Sequence, residues 1–153
     1  MDGPATAMTV HRIGSDESQR WDAFIASSEH GHLFQSWGWG ELKRRSGWRP
    51  LRLAVERGGR IEAAAQVLIR STFGLSFAYV PRGPVVRPDQ SDVYRRLLDA
   101  MHESARSRHC VFLKVEPNER EGSGVERLLR SSGFIRSPQT MQVRATMRTD
   151  ITG

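Results

Sequence analysis

Tyr79-Val80-Pro81-Arg82-Gly83-Pro84-Val85-Val86 is the stretch from which the rest of the chain can be read. Phe77-Ala78-Tyr79-Val80, which leads into it, has the aromatic and β-branched make-up of a strand. Pro81 and Pro84 each remove a backbone donor, so strand pairing must stop here or lie at an edge. Each proline also pushes the residue before it, Val80 or Gly83, into an extended conformation. The spacing predicts a stiff, extended exit from a sheet. Arg82 is held between two prolines, and Gly83 admits another backbone or a ligand. Local chemistry leaves open whether Arg82 meets a ligand or points into water.

Working outward towards the N-terminus, residues 48–56 and 60–70 flank Gly58-Gly59, a hairpin signal. A two-residue turn would set Val55 opposite Glu62 and Leu53 opposite Ala64. A three-residue loop with a bulge would set Val55 opposite Ala63 and Leu53 opposite Ala65, which matches apolar faces better and is the register expected. Phe73-Gly74 then breaks the chain before a third strand over 75–80. Ahead of the hairpin, residues 9–13 read as a short strand. Ser15 is placed to cap a helix, with Asp16 and Glu17 at its positive end and Trp21, Phe24 and Ile25 on one buried face. His30-Gly31-His32 has no other ligand nearby and reads as a loop rather than a metal site. Ser36 is a second N-cap and Gly47 a stop. Between them Gly38 and Gly40 are unusual in a helix, each costing about 1 kcal/mol relative to Ala. Lys43 follows Trp39 by one helical turn, on the same face. It suits a ligand contact or a snorkelling surface lysine equally.

Towards the C-terminus, a long helix starts at Asp89 or Ser91, with Val93, Tyr94, Leu97, Leu98, Met101 and Ala105 facing the core. Residues 110–116 are apolar on both faces, as in a central strand covered by helices on each side. A helix around Val125, Leu128 and Leu129 ends at Gly133, a left-handed cap with Phe134 as its hydrophobic contact. Residues 142–148 alternate as a last strand. Residues 1–8 read as a flexible tail and 9–153 as one domain.

At 153 residues the chain is long enough for a real core. Its 23 Lys+Arg against 17 Asp+Glu give a net charge of +6, mostly from arginine. That balance favours anionic partners such as nucleotides, RNA or acidic surfaces without choosing among them. A single cysteine excludes an internal disulfide, and Cys110 in its apolar strand reads as a buried, inert thiol. No apolar run approaches the roughly 18 residues of a membrane span, and no basic-then-apolar leader opens the chain, so a cytoplasmic location is expected.

The order strand, two helices, three antiparallel strands, helix, strand, helix, strand suits an α+β fold. It resembles the GNAT type of acyltransferase, a mixed, mostly antiparallel sheet with helices on both faces. Acetyl-CoA users of that fold carry a basic, glycine-rich loop whose amides hold pyrophosphate at a helix N-terminus. The stretch compared with it, Glu119-Arg120-Glu121-Gly122-Ser123-Gly124, has the glycines but places Glu119 where the basic residue belongs. It reads as a helix-starting turn, and no cofactor is expected.

Five stretches together resemble the FemABX aminoacyltransferases. They are the run from Phe34 to Lys43 (FQSWGWGELK), Ala65-Gln66-Val67-Leu68, Tyr79 to Val86, Leu113-Lys114-Val115-Glu116-Pro117, and Gly133-Phe134 with Ser137-Pro138-Gln139-Thr140. They occur in the family's order from about Thr9 onward. The resemblance implies a peptidoglycan bridge-forming aminoacyltransferase that moves an amino acid from aminoacyl-tRNA to the stem peptide of a UDP- or lipid-linked muramyl-peptide precursor. It implies work in the cytoplasm or at the inner face of the membrane. It also implies that Lys43 contacts the precursor's diphosphate, with Trp39, Tyr79 and Arg82 lining the same site; the catalytic group stays unknown and no metal is expected. Two departures stand out: Arg87 where members often carry an acidic residue, and Gly38 where the helix usually has a larger one. The resemblance covers the first of two GNAT-like domains, so a partial form is expected. Trp37, Trp39 and the 79–86 corner would form its exposed, self-associating face. A non-catalytic precursor-binding module and a small acetyl-CoA-dependent N-acetyltransferase are the alternatives.

Overall fold

The structure, a computed structural model, describes residues 7–87 and 89–141. Strand β1 (Met8–Arg12) begins inside the stretch expected to be tail. Residues 1–6 of that tail and the strand expected over 142–148 lie outside the described residues. Helices α1 (Ser18–Ser27) and α2 (Trp37–Arg44) follow. Then come β2 (Arg49–Arg57), β3 (Arg60–Thr72), β4 (Leu75–Pro81) and the two-residue β5 (Val85–Val86). Helix α3 (Ser91–Ser107), strand β6 (Cys110–Glu116) and helix α4 (Val125–Ser131) complete the described elements.

The sheet order is β1-β2-β3-β4-β6, with β5 also pairing β3. Every pairing is antiparallel except β4 with β6, which α3 connects as a parallel crossover. Period-two alternation sends one set of side chains to each face. Leu53, Val55, Ala63, Ala65, Val67, Ala78 and Val80 pack with Leu97, Leu98 and Met101 of α3. Ala54, Ala64 and Val85 pack on the other side with Trp21, Phe24 and Ile25 of α1. All six apolar positions expected on α3 are buried, each contributing about 1.5–3 kcal/mol for the larger side chains. The mixed, mostly antiparallel sheet with helices on both faces is therefore the α+β architecture expected.

The hairpin register is also the expected one, reached by another route. Val55 lies opposite Ala63 and Leu53 opposite Ala65, but Arg57 pairs Arg60 across a two-residue Gly58-Gly59 turn. The shift comes from a bulge between Val55 and Glu56 that leaves Glu62 unpaired. Both glycines have positive φ, as a turn between twisted strands requires.

Four readings are corrected. Ser15 does not cap α1; it opens a 3₁₀ turn (Ser15–Glu17), and α1 starts after it without a side-chain cap. Strand β6 is not central among the described residues. It ends the sheet order, and Val111 and Phe112 are 59% and 51% exposed. Its apolar run reflects α3 on one face, against Cys110, Leu113 and Val115, and an open aromatic row on the other. The 79–86 corner is not an exposed face either, since Tyr79, Val80, Val85 and Val86 are all buried. Nor is it an extended exit: β4 continues through Pro81, Arg82 turns to positive φ, and the Gly83–Pro84 bond is cis.

Candidate substrate-binding site

The corner that carries Arg82 is filled from within the chain. A Cβ on Gly83 would overlap the carboxamide of Gln35, so the close approach expected there is made by a side chain. Gln35 Nε2 donates to Pro81 O at 2.7 Å, and Gln35 Oε1 accepts from Gln66 N at 2.7 Å. Gln35 O accepts from Trp21 Nε1 at 2.8 Å. Gln66 Nε2 in turn donates to Ser36 O at 2.9 Å and Phe34 O at 3.2 Å, while its Oε1 accepts from Arg52 Nε at 2.8 Å. Arg52 Nη2 donates to Trp37 O and to Glu41 Oε1, each at 3.0 Å, and its guanidinium stacks 3.5 Å from the Trp37 ring centroid. Burial draws the Arg52 pKa down while Glu41 supports the charge. Burial opposes ionisation of Glu41 as well, yet hydrogen bonds from Arg44 and Arg52 hold its carboxyl below the usual value. This network fastens the start of α2 to β2 and β3. Gly40 belongs to it, because a Cβ there would overlap Gln66 and Arg52. Sequence reasoning missed Gln35, Gln66 and Arg52 as a unit. The available signal was a polar residue inside each of three otherwise apolar surroundings.

Helix α2 starts as expected: Ser36 Oγ accepts from Trp39 N at 3.2 Å, and Gly47 has positive φ just beyond its last turn. So anchored, it carries a half-buried aromatic stack. Trp39 lies on Phe34 with centroids 4.3 Å apart, and His32 meets Phe34 edge-on at 4.7 Å. Lys43 Nζ stands 5.0 Å from the Trp39 ring centroid. Lys43 and Trp39 are thus brought together, one turn apart, as their spacing predicts. Trp37 and Trp39, both expected on an exposed face, are instead half-buried, Trp37 beneath Arg52.

Tyr79 and Arg82 sit at the end of β4, near a cleft of about 640 Å³ between β6, residues 119–123, α4 and the segment after it. Arg82 lines that cleft with Lys114, Glu116 and Glu119; Lys43, Trp39 and Tyr79 do not. Tyr79 is only 4% exposed, and its hydroxyl donates to Glu116 Oε2 at 2.8 Å. Glu116 Oε1 accepts from Met141 N at 2.6 Å, and Lys114 Nζ donates to Gln139 O. Glu116 and Lys114 thereby pin residues 139–141 beside the end of the strand.

Glu119, the residue standing where a pyrophosphate loop would be basic, is partly buried beside His30. It faces His30 at 3.5 Å, and burial raises its pKa, with Glu29 adding to the rise and His30 opposing it. A carboxylate held this way has no affinity for pyrophosphate, and Gly122 and Gly124 serve positive-φ turns before α4. Residues 119–124 are the helix-starting turn expected. His30-Gly31-His32 is a loop, with His32 Nδ1 accepting from Phe34 N. The described residues that come close enough to share a cation are instead His11, Glu17 and Glu56. Arg20 already pairs with both of those carboxylates, which disfavours an added cation. Cys110 is half-buried rather than buried, and burial pushes its thiol pKa up. No helix among the described residues is long and apolar enough to cross a membrane.

Comparison with known proteins bears on this arrangement. The model of the FemAB family matches residues 17–127. Lipid II:glycine glycyltransferase of Staphylococcus aureus (strain MRSA252) is 32% identical over 145 residues, covering 88% of this chain and 34% of that protein. The chain therefore spans about a third of the length of the curated relatives it matches. The crystal structure of FemX superposes with a TM-score of 0.74 at 29% identity, covering 82% of this chain and 31% of that one. The acetyltransferase AAC(6')-Iy, in complex with a bisubstrate analogue, superposes with a TM-score of 0.68 at 15% identity, over 93% of this chain and 100% of its own. That likeness shows the fold alone.

Proposed function

We propose, from the premise that this chain belongs to the FemAB family, that it forms the precursor-binding part of a peptidoglycan bridge-forming aminoacyltransferase. The observation that carries this reading is the Lys43 ammonium held over the half-buried Trp39 ring on a helix whose start is locked by Ser36 and the Gln66–Arg52 network. A compact cation on a rigid helix suits the diphosphate of a UDP- or lipid-linked muramyl peptide. Arg82, which lines the cleft beside β6, suits an anionic group further along the same precursor. Tyr79 acts through Glu116 and the segment it holds rather than by touching the precursor.

The reaction is aminolysis. The stem-peptide amine forms a C–N bond to the aminoacyl carbonyl, the ester C–O bond to the tRNA ribose breaks, and the amine's proton leaves with the released hydroxyl. Such a transfer depends chiefly on alignment of two large substrates, which fits a site built from positioning contacts and calls for no cofactor. The donor is aminoacyl-tRNA. The reaction runs in the cytoplasm, at the inner face of the membrane where the acceptor is lipid-linked. That the chain spans 34% of its relative favours a second reading, a module that binds the precursor and leaves transfer to a further GNAT-like domain or a second copy.

Calorimetric titration with a UDP-muramyl pentapeptide tests the proposal. Binding that weakens with salt, and that Lys43→Ala lowers by about tenfold, is expected for one charge–phosphate contact of about 1.4 kcal/mol. Equal affinity for the two proteins would make Lys43 a snorkelling surface residue and remove the reading's main support.

A further inference from the structure

Strands β3 and β4 are joined by the two-residue turn Phe73-Gly74. Both residues have positive φ, 52° at Phe73 and 77° at Gly74. Glycine adopts that conformation freely, whereas a bulky side chain in it is an outlier. Asparagine, aspartate or glycine is the usual choice in such a turn. Phe73 is also 100% exposed, and Leu75 after it is exposed as well. A large aromatic ring thus stands at the tip of a hairpin, in a backbone conformation that disfavours it, covered by no described residue. Val111 and Phe112 are exposed behind the tip on the adjoining β6, whose Cys110 pairs with Ser76.

The surroundings of the tip are cationic on both sides of the sheet. On the side facing α3, Arg49 Nη2 donates to Ser71 Oγ at 3.0 Å. Burial raises the Cys110 pKa there, and Arg108 and Arg49 both lie near enough to oppose the rise. On the other side, the Arg70 guanidinium stands 5.6 Å from the Trp48 ring centroid. Residues 44–49, 69–77 and 106–113, which meet at this end of the sheet, are rich in arginine and contain no carboxylate.

An apolar tip alone would accept many partners. A second copy of this chain would bring the same arginines to the contact, on a molecule of net charge +6, so like charges oppose self-association here. A bilayer with anionic lipids offers both halves of the match: acyl chains for an aromatic and aliphatic tip, and negative headgroups for arginines set back from it. We propose that the Phe73–Leu75 tip inserts at the surface of an anionic membrane, with Arg49, Arg70 and Arg108 on the headgroups. One short tip and a few cations give reversible, peripheral binding. This surface is separate from the Lys43–Trp39 pair. It deepens the reading of a lipid-linked acceptor by giving the chain a way to reach it, and rests on that reading for its purpose but not for its evidence.

The test is sedimentation of the full chain with phosphatidylcholine vesicles, with and without phosphatidylglycerol. Binding should require the anionic lipid and fall with added salt. Phe73→Asn should weaken it by roughly tenfold, as loss of one aromatic anchor at the membrane interface requires. The same change should leave the fold intact or more stable, because asparagine suits positive φ, and a thermal melt checks this. Arg70→Ala should weaken binding about fivefold, the contribution of one basic residue near an anionic surface. Equal binding to neutral vesicles, binding to neither, or insensitivity to Phe73→Asn overturns the proposal. So does a dimer that Phe73→Asn dissolves, or Phe73-dependent binding of a single-stranded RNA by a chain that ignores vesicles. The UDP-muramyl peptide titration, run without lipid, separates the two readings. Precursor binding without vesicle binding sinks this inference alone; Phe73-dependent vesicle binding without precursor binding sustains it and sinks the assignment of Lys43.

Discussion

Gln35 meets the backbone of Gln66 as a neighbouring strand would. Its Oε1 accepts from Gln66 N at 2.7 Å, and its Nε2 reaches Gln66 O at 3.4 Å and Pro81 O at 2.7 Å. On β3, Leu68 pairs with Tyr79 of β4 and Ala64 with Val85 of β5. Gln66 falls between them, opposite the corner where Pro81 offers no donor. The carboxamide carries one acceptor and one donor group in the arrangement of a peptide, so it closes the gap that the prolines open. One side chain thus allows a proline-rich corner to sit inside a sheet.

Gln35→Ala should therefore cost about 2–4 kcal/mol, because it leaves buried backbone groups without partners at about 1–3 kcal/mol each. Gln35→Glu should be at least as damaging, since a carboxylate would face two carbonyl oxygens. Urea unfolding measures both. A loss below about 0.5 kcal/mol, the scale of an ordinary surface change, would mean that the corner holds without the plug.

The two glycines of α2 should respond in opposite directions. A Cβ on Gly40 would overlap Gln66 and Arg52, so Gly40→Ala is expected to destabilise by about 1–3 kcal/mol through overpacking. Nothing lies within 4 Å of a Cβ on Gly38, so Gly38→Ala should stabilise by a few tenths to about 1 kcal/mol. Melting temperatures of the two variants, measured side by side, decide it; shifts of the same sign would contradict the packing described.

These contrasts mark what a linear reading can and cannot reach. The buried face of α3, the Ser36 cap and the Lys43–Trp39 pair are legible because each depends on spacings of a few residues. The Val55–Ala63 register is legible because apolar matching selects it, although a two-residue turn with a bulge at Glu62 produces it rather than a three-residue loop. Apart from the Ser15 turn, which is local, the departures involve long-range partners. Gln35 and Gln66 are 31 positions apart and Tyr79 and Glu116 are 37 apart, so no local pattern announces them. Whether β6 is covered on both faces depends on what packs there, and an apolar run alone does not say whether a face meets a helix or stays open as an aromatic row.

Glu119 should make stability depend on pH. Burial raises its folded pKa above the usual 4.5, so between that value and the folded pKa the folded state holds more protons than the unfolded one, and stability falls as pH rises. Glu119→Gln removes the titration. The variant should gain on the wild type as pH climbs above about 4.5 and show no such gain below it. Urea midpoints from pH 4 to pH 8 follow the difference, on the order of a tenth of a denaturant unit or more if it exceeds 0.3 kcal/mol. A variant less stable than the wild type at neutral pH would show that the His30 pairing outweighs burial.

Tyr79→Phe separates a residue that touches the precursor from one that shapes the site. The Tyr79 hydroxyl is already engaged by Glu116, and the ring is 4% exposed, so little of it is available to a ligand. Removing the hydroxyl leaves Glu116 with Met141 N as its short hydrogen-bond partner. A hydrogen bond to a charged acceptor contributes about 1.5–3 kcal/mol, and part of that loss should appear as lower global stability. The rest should appear at residues 139–141, where faster amide exchange or earlier proteolytic cleavage would report a loosened segment. Precursor affinity should fall less than with Lys43→Ala, because the change acts on the cleft wall and not on the diphosphate. A Tyr79→Phe protein that keeps its stability but loses precursor binding as strongly as Lys43→Ala would reverse the assignment. It would mean that the hydroxyl leaves Glu116 for the ligand when the site fills.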